Sequence, residues 1–294
     1  LAIDSFQRGA LESIMPEIPD LEAIAAYLTK NIVGASIEDI SIPIPWMIRS
    51  PHPERPEKVL IGESIQKIAR RGKHLIFSLR VATLVVHPML VGKFYLVPPE
   101  DPPPREMVFD LLLSTGRSLR YADERRMGRI YLVPGHDLGA IPGFAQQGPD
   151  PLEEHFTFDR FLERLKGRHG EIKGLLTNAK VISGIGNAYV DEILFEAGIY
   201  PFRKKADLSE QELRSIYEAI PLVLNRAKEI VAGRMGEQID LKIRDFLQVH
   251  GKAGKPCPRC GQRIASVGRR ERSTQFCRRC QPGLMTDTAM KERP

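Results

Sequence analysis

The spacing of apolar positions changes twice along the chain. Between residues 17 and 33, Leu21, Ile24, Ala25 and Leu28 recur three and four apart, which places them on one face of a helix. Pro19-Asp20 suits its first turn, where a missing N–H costs little and an acid meets the positive end of the dipole. From Lys58 to about Val133 the period drops to two. "KHLIFSLR" alternates, "ATLVVHPML" is β-branched, and "RSLRYADERRMGRIYLV" predicts two strands joined by a charged turn. Frequent Pro and Gly cut this stretch into short pieces, as in a sandwich or barrel. Residues 134–152, "PGHDLGAIPGFAQQGPDPL", predict an interdomain linker. Helical periodicity then returns, with helices expected at 157–167, 171–179, 187–197, 208–231 and 240–248.

Composition narrows the class. The chain has 294 residues, 42% apolar and 27% charged, enough for two domains with buried cores. No run approaches the roughly 20 apolar residues of a membrane helix. The first fourteen residues lack the charged-then-apolar order of a secretory signal. A cytoplasmic protein with no membrane partner is expected. The net charge of +6 is unevenly spread: between Lys252 and Gln281 nine Lys/Arg face the single acid Glu271, a local excess of +8. Such a module suits polyanion binding, because cations that neutralise phosphates release condensed counterions. A solvated basic tail would show the same charge run.

The cysteines favour a folded module. All four lie in that stretch, as Cys257-Pro-Arg-Cys260 and Cys277-Arg-Arg-Cys280. Two C-x-x-C pairs at this separation predict one four-thiolate zinc site, structural because no ligand position is left open. Upstream, "KVISGIGNAYVDEILF" sets Gly184-Ile185-Gly186-Asn187 before a helix. Residues of this kind make either a tight corner without ligand or a phosphate site at a helix N-terminus. Beside a basic module, phosphate contact is expected.

Several of these pieces together resemble the formamidopyrimidine-DNA glycosylase / endonuclease VIII family of base-excision repair enzymes. The resemblance rests on "PEIPDLE", "ARRGKHLIF", "YADERRMGRIYL", "GIGNAYVDEILF" and "CPRC…RSTQFCRRC", in that order from Met15 to about Gln281. It implies an α+β fold: an N-terminal β-sandwich flanked by helices, a helix–two-turn–helix domain, and a C-terminal four-cysteine zinc finger. The expected division is a 1–14 extension absent from the mature protein, a catalytic sandwich at 15–135, a linker at 136–152, a DNA-binding helical domain at 153–250, the finger at 251–283 and a tail at 284–294.

The resemblance also implies a reaction and the residues that perform it. The partner is damaged double-stranded DNA and the enzyme a monomer. A damaged base leaves the stack, and an amine attacks the sugar C1′ to form a Schiff base. A chain-terminal amine, near ~8, is unprotonated far more often at neutral pH than a lysine near ~10.4. By resemblance the amine is that of Pro16, usable only once everything up to Met15 is gone, since an amide nitrogen is not nucleophilic. Glu17 is the implied general acid/base and Lys73 the lysine that contacts the lesion nucleotide. The imine acidifies the C2′ proton, so strand cleavage on the 3′ and then the 5′ side follows. A protein of the same fold that binds damage without chemistry is the alternative.

DNA contacts carry over residue by residue. Lys173, Asn187 and Arg272 match phosphate-gripping positions, and His87 is either a backbone contact or a buried strand histidine. Leu90 matches the side chain wedged into the emptied stack, with Met89 as its rival, and Arg125 and Met127 match the other void-filling positions. Met127 stands where the glycosylase branch has Phe, and Asp20 where Glu is usual. The segment 233–257, "GRMGEQIDLKIRDFLQVHGKAGKPC", is short beside the lid that many relatives close over flipped 8-oxoguanine. Weaker 8-oxoguanine excision, and more tolerance for ring-opened purines or oxidised pyrimidines, is expected.

Overall fold

The computed structural model describes residues 15–52, 54–268 and 273–283. Arg272, the first fourteen residues and the tail from 284 lie outside the described residues. Helix α1 (Ile18–Ile32) opens the fold. Nine strands then follow: β1 (Ile37–Ser41), β2 (Ile48–Arg49), β3 (Lys67–Arg71), β4 (His74–Ser78), β5 (Ala82–His87), β6 (Lys93–Val97), β7 (Met107–Leu113), β8 (Ser118–Ala122) and β9 (Arg129–Pro134), with a short helix α2 (Pro56–Leu60) after β2. One sheet has the order β1-β7-β8-β6 and the other β2-β9-β5-β4-β3. All pairings are antiparallel except β2 with β9.

Period-two alternation explains why the sheets stack. On β4, Leu75 and Phe77 face the sandwich core together with Leu84, Val86, Ile130 and Leu132. The other sheet supplies Phe94, Phe109, Leu111, Leu119 and Tyr121 to the same core. Ile76, Val85, Tyr131 and Val133 point the opposite way, onto Ile141 and Phe144. The stretch after β9 thus covers a sheet face that would otherwise be wet. Arg70 fastens the chain just beyond it: its guanidinium reaches Glu22 at 2.6 Å and both oxygens of Asp150 at 2.5 and 2.9 Å.

The helical half comprises α3 (Phe158–Leu165), α4 (Ile172–Leu176), α5 (Asn187–Glu196) and α6 (Glu210–Met235). Ser209 starts α6, accepting from the Glu212 N–H while Glu212 accepts from its own N–H, a reciprocal cap. The short antiparallel pair β10 (Ala265–Val267) and β11 (Thr274–Phe276) lies between the two cysteine pairs. No helix among the described residues is long and apolar enough to cross a membrane.

One expectation holds here and one fails. β8 and β9 are the two expected strands joined by the charged turn 123–128; they lie in different sheets, and that turn carries the chain from one to the other. The helix expected at 240–248 is absent. Ile239, Ile243 and Leu247 have helical spacing, but the first two bury in the sandwich core and Leu247 in the helical core. The N–H groups of Gln248 and Val249, which a helix would turn back on itself, donate instead to the Glu192 carboxylate, and the segment runs across the seam as a strap.

Candidate active site and nucleic-acid interface

Helix α1 is shared between the two halves. Its first residue, Ile18, belongs to the helical core, while Leu21, Ala25, Leu28 and Ile32 belong to the sandwich core. The residues just before it therefore sit at the seam. Pro16 is buried there, joined to a half-buried Met15. Glu17 is 2% exposed. Its Oε2 accepts from the N–H groups of Gly186 at 2.7 Å and Tyr189 at 3.3 Å, and Oε1 from Ala188 at 2.9 Å. Those donors are the N–H groups that the first turn of α5 leaves without helical partners, so the helix N-terminus holds a buried carboxylate.

The glycines make this approach possible. A Cβ on Gly186 would lie 2.5 Å from the Glu17 carboxyl carbon and 2.7 Å from Lys73 Nζ, and one on Gly184 would lie 2.5 Å from Ile18 Cγ1. At this corner, where phosphate contact is expected, the group that approaches is the chain's own Glu17. Lys73 follows Gly72 in the two-residue turn between β3 and β4, where Gly72 takes φ +56°, a conformation glycine adopts without penalty. Its Nζ is 3.3 Å from Met15 Sδ. Burial pulls the Lys73 ammonium below the usual lysine range, and Glu17 opposes that shift.

A closed circuit fixes residue 17. The Glu17 N–H donates to Asp20 Oδ2 at 2.9 Å. Arg244 donates to the same oxygen and, at 2.6 Å, to the Tyr189 hydroxyl. The Tyr189 N–H returns to Glu17. Arg244 also lies 4.6 Å over the Tyr189 ring.

Two loops converge nearby. A Cβ on Gly92 would stand 2.1 Å from the Tyr121 hydroxyl and one on Gly128 2.3 Å, so both glycines are required for loops 88–92 and 123–128 to close on that ring. Together they carry Leu90, half-buried, and Arg125 and Met127, both exposed. Asp123 shapes the second loop, accepting from the N–H groups of Arg125 at 3.0 Å and Gly128 at 2.5 Å. In the first, His87 Nδ1 accepts from the Met89 N–H at 3.0 Å. Burial, with His74 and Lys73 close by, pushes the His87 pKa down to about 3. Neutral His87 therefore carries its proton on Nε2, a donor rather than a cation.

At the finger, Cys257 and Cys280 have their sulfurs 3.8 Å apart and Cys260 and Cys277 3.4 Å apart. All four sulfurs lie within 4.8 Å of one another. A tetrahedral zinc with Zn–S near 2.3 Å needs edges of about 3.8 Å, so the set fits zinc. Two adjacent acids on α5 dock this module. Asp191 binds Lys173 Nζ at 2.7 Å, His250 Nδ1 at 2.9 Å and the Gln275 N–H at 3.2 Å. Glu192 accepts from the N–H groups of Gln248, Val249 and His250. Asn187 Nδ2 donates to the Ser273 carbonyl at 2.9 Å.

Comparison with known families decides what this assembly is. Residues 15–130 match the formamidopyrimidine-DNA glycosylase N-terminal domain, 147–238 the H2TH domain of the same enzyme, and 254–283 the zinc finger found in FPG and IleRS. The chain belongs to the formamidopyrimidine-DNA glycosylase family. The enzyme of that name from Symbiobacterium thermophilum is 40% identical over 273 residues, spanning 91% of this chain and 90% of the relative. That from Bacillus subtilis is 34% identical, spanning 91% and 99%. Among solved structures, Lactococcus lactis Fpg in complex with abasic-site DNA superposes with a TM-score of 0.81 at 31% identity, over 91% of this chain and all of that one.

With the family in view, the structure brings Pro16, Glu17 and Lys73 to one seam and groups Leu90, Arg125 and Met127 on neighbouring loops. Lys173 is placed differently from the expectation of a surface phosphate grip. It is 9% exposed, and its Nζ is spent on Asp191 and on the Thr274 hydroxyl, both at 2.7 Å. Asp20, Arg244 and Tyr189 were not singled out as a unit. Arg244 is 224 positions from Asp20, and nothing local in either stretch marks the pairing. Asp191 and Glu192 did leave a signal: two acids inside the apolar run "AYVDEILF" must be buried and paired.

Proposed function

We propose that the chain is a bifunctional DNA glycosylase and abasic-site lyase that removes oxidised bases through a Schiff base at Pro16. Supporting this most is the position of the Glu17 carboxylate: buried, held by three backbone N–H groups, next to Pro16 and against Lys73. With Met15 removed, Pro16 presents a secondary amine. Its attack on C1′ of the flipped nucleotide forms the C–N bond as the base departs with the glycosidic electron pair. Glu17 supplies a proton at the sugar ring oxygen and later takes part in the eliminations. Lys73, its ammonium destabilised by burial, contacts the lesion nucleotide. Loss of the C2′ proton from the imine expels the 3′ phosphate, and a second elimination expels the 5′ phosphate.

Leu90, Arg125 and Met127 fill the void left by the base, with Met89 the alternative to Leu90. His87 donates from Nε2 to the DNA backbone, and Asn187 and Arg272 hold phosphates beside the lesion. Zinc, one ion on the four cysteines, supplies structure: it fixes a hairpin too small to bury its own core. Cysteines kept as zinc thiolates suit a reducing compartment, in keeping with an enzyme that acts in the cytoplasm; it acts as a monomer. The short strap in place of a longer lid favours ring-opened purines or oxidised pyrimidines over 8-oxoguanine.

The test is a single-turnover assay on duplexes carrying formamidopyrimidine or 8-oxoguanine opposite cytosine. A gap with phosphates at both ends, and faster excision of formamidopyrimidine, is expected. Equal rates would remove the lesion preference. Tight binding without cleavage of either duplex would favour the non-catalytic damage binder.

A further inference from the structure

The strap between α6 and the finger does more than connect. Within a dozen residues it contributes Ile239 and Ile243 to the sandwich core, Leu247 to the helical core and Val249 to the finger core. Its polar side chains reach out between these anchors. Asp240 is 3.8 Å from Lys93, which begins β6 immediately after loop 88–92. Lys242 donates to the Leu90 carbonyl oxygen at 3.0 Å. That loop is already tense: Met89 takes φ +52°, where a side chain is uncommon, and the Gly92 N–H closes on the Pro88 carbonyl at 3.0 Å.

We infer that Lys242 is a positioning residue for base excision, its ammonium gripping the Leu90 carbonyl and so setting how Leu90 and Met89 are presented to the emptied stack. The inference rests on the reading of loop 88–92 as void-filling. A backbone carbonyl held by a cation is a stronger restraint than a neutral contact, and it comes from a segment anchored in three cores. The grip also couples loop to seam, since Arg244 two residues later holds Asp20 beside Glu17. Burial lowers the Lys242 pKa to about 8. Of the charges facing it, Asp20 and Asp123 favour the ammonium and Lys93 and Arg244 oppose it, while Asp240 on the strap itself is paired with Lys93. The ammonium is therefore present at neutral pH and lost as pH rises past 8.

The experiment compares Lys242→Met, Lys242→Arg and Leu90→Ala, in the form of the chain that cleaves abasic sites. Single-turnover rates are taken on a formamidopyrimidine duplex and on the same duplex with an abasic site, from pH 6.5 to 9.5. Lys242→Met is expected to slow lesion excision roughly tenfold, the size of one lost charge-assisted hydrogen bond, and abasic cleavage less than twofold. Lys242→Arg should recover most of the loss, and Lys242→Met should add little to Leu90→Ala. In the unaltered chain the ratio of the two rates should fall above pH 8; in Lys242→Met it should be flat. The ratio cancels the ionisation of the Pro16 amine, which both reactions share. If Leu90→Ala slows both reactions equally, the void-filling reading is wrong. If Leu90→Ala separates them but Lys242→Met does not, or the two losses multiply, Lys242 does not position the loop.

Discussion

Glu17 at the seam is 2% exposed, and its carboxylate is fixed by three N–H groups from a helix 169 to 172 positions away. Met127, on the turn after β8, is 41% exposed and reaches toward solvent from a loop set by Asp123. The two residues have different work in the proposed reaction. Proton transfer needs a group whose position is set before substrate arrives, because reorganisation at the reacting atoms raises the barrier. Filling a hole in stacked DNA needs a side chain that is free until DNA supplies the walls. Rigidity at the seam is carried by polar contacts between distant segments; at the turn after β8, Gly128 lets the loop close on Tyr121 while Met127 at its tip stays exposed.

That contrast can be broken at several points. The largest effect is expected at Glu17. Glu17→Gln should cut lesion excision by about 10²–10⁴-fold, the usual worth of a positioned acid/base, in a chain that still binds abasic-analogue DNA. Retained excision would place the acid/base elsewhere. Next is Arg244→Met, which leaves Asp20 buried without its cation. Breaking a buried pair costs about 3–5 kcal/mol, so thermal denaturation should shift down clearly and excision should fall with it. An unchanged Tm would mean the circuit around residue 17 is not stabilising.

The histidine pair behind the seam gives a smaller, pH-dependent effect. Burial lowers His74 to about 4 and His87 to about 3, against an unfolded value near ~6.5. The unfolded chain therefore takes up protons first, and stability that is complete above pH 6.5 is lost as pH falls through 4 and 3. His74→Phe, whose ring would lie against Phe144 as His74 does, should flatten Tm against pH between 6.5 and 4. An identical slope would contradict the assigned burial. Smallest is Met127→Ala: Tm should stay within the effect of about 0.5 kcal/mol expected for a surface change, while lesion excision slows a few-fold. A large Tm loss would show that Met127 belongs to the core instead.

The sequence was most legible where one local rule acts. Helix α1 followed from Leu21, Ile24, Ala25 and Leu28, and the finger from cysteine spacing alone. Helices α5 and α6 appeared within a few residues of their observed ends. Legibility failed where a distant side chain claims the backbone. Ile239, Ile243 and Leu247 have helix spacing, yet the N–H groups of Gln248 and Val249 are taken by Glu192 and no helix forms. At the site, the motif resemblance points to Pro16, Glu17 and Lys73 but not to their surroundings. The helix N-terminus read as a phosphate site is filled by Glu17, and the basic Lys173 is turned inward to Asp191. Both outcomes depend on contacts between residues far apart in the chain, which no local pattern encodes.

The central claim is that chemistry at the seam begins with a free Pro16 amine, and borohydride trapping on an abasic-site duplex tests it directly. Chains beginning at Leu1 and at Met15 would each be checked by intact mass before and after reaction. A covalent adduct confined to molecules whose first residue is Pro16 is the predicted result. An adduct on a chain that still carries Met15 would contradict it by placing the nucleophile on another amine, and binding without any adduct would make Pro16 a structural residue of a damage-binding protein.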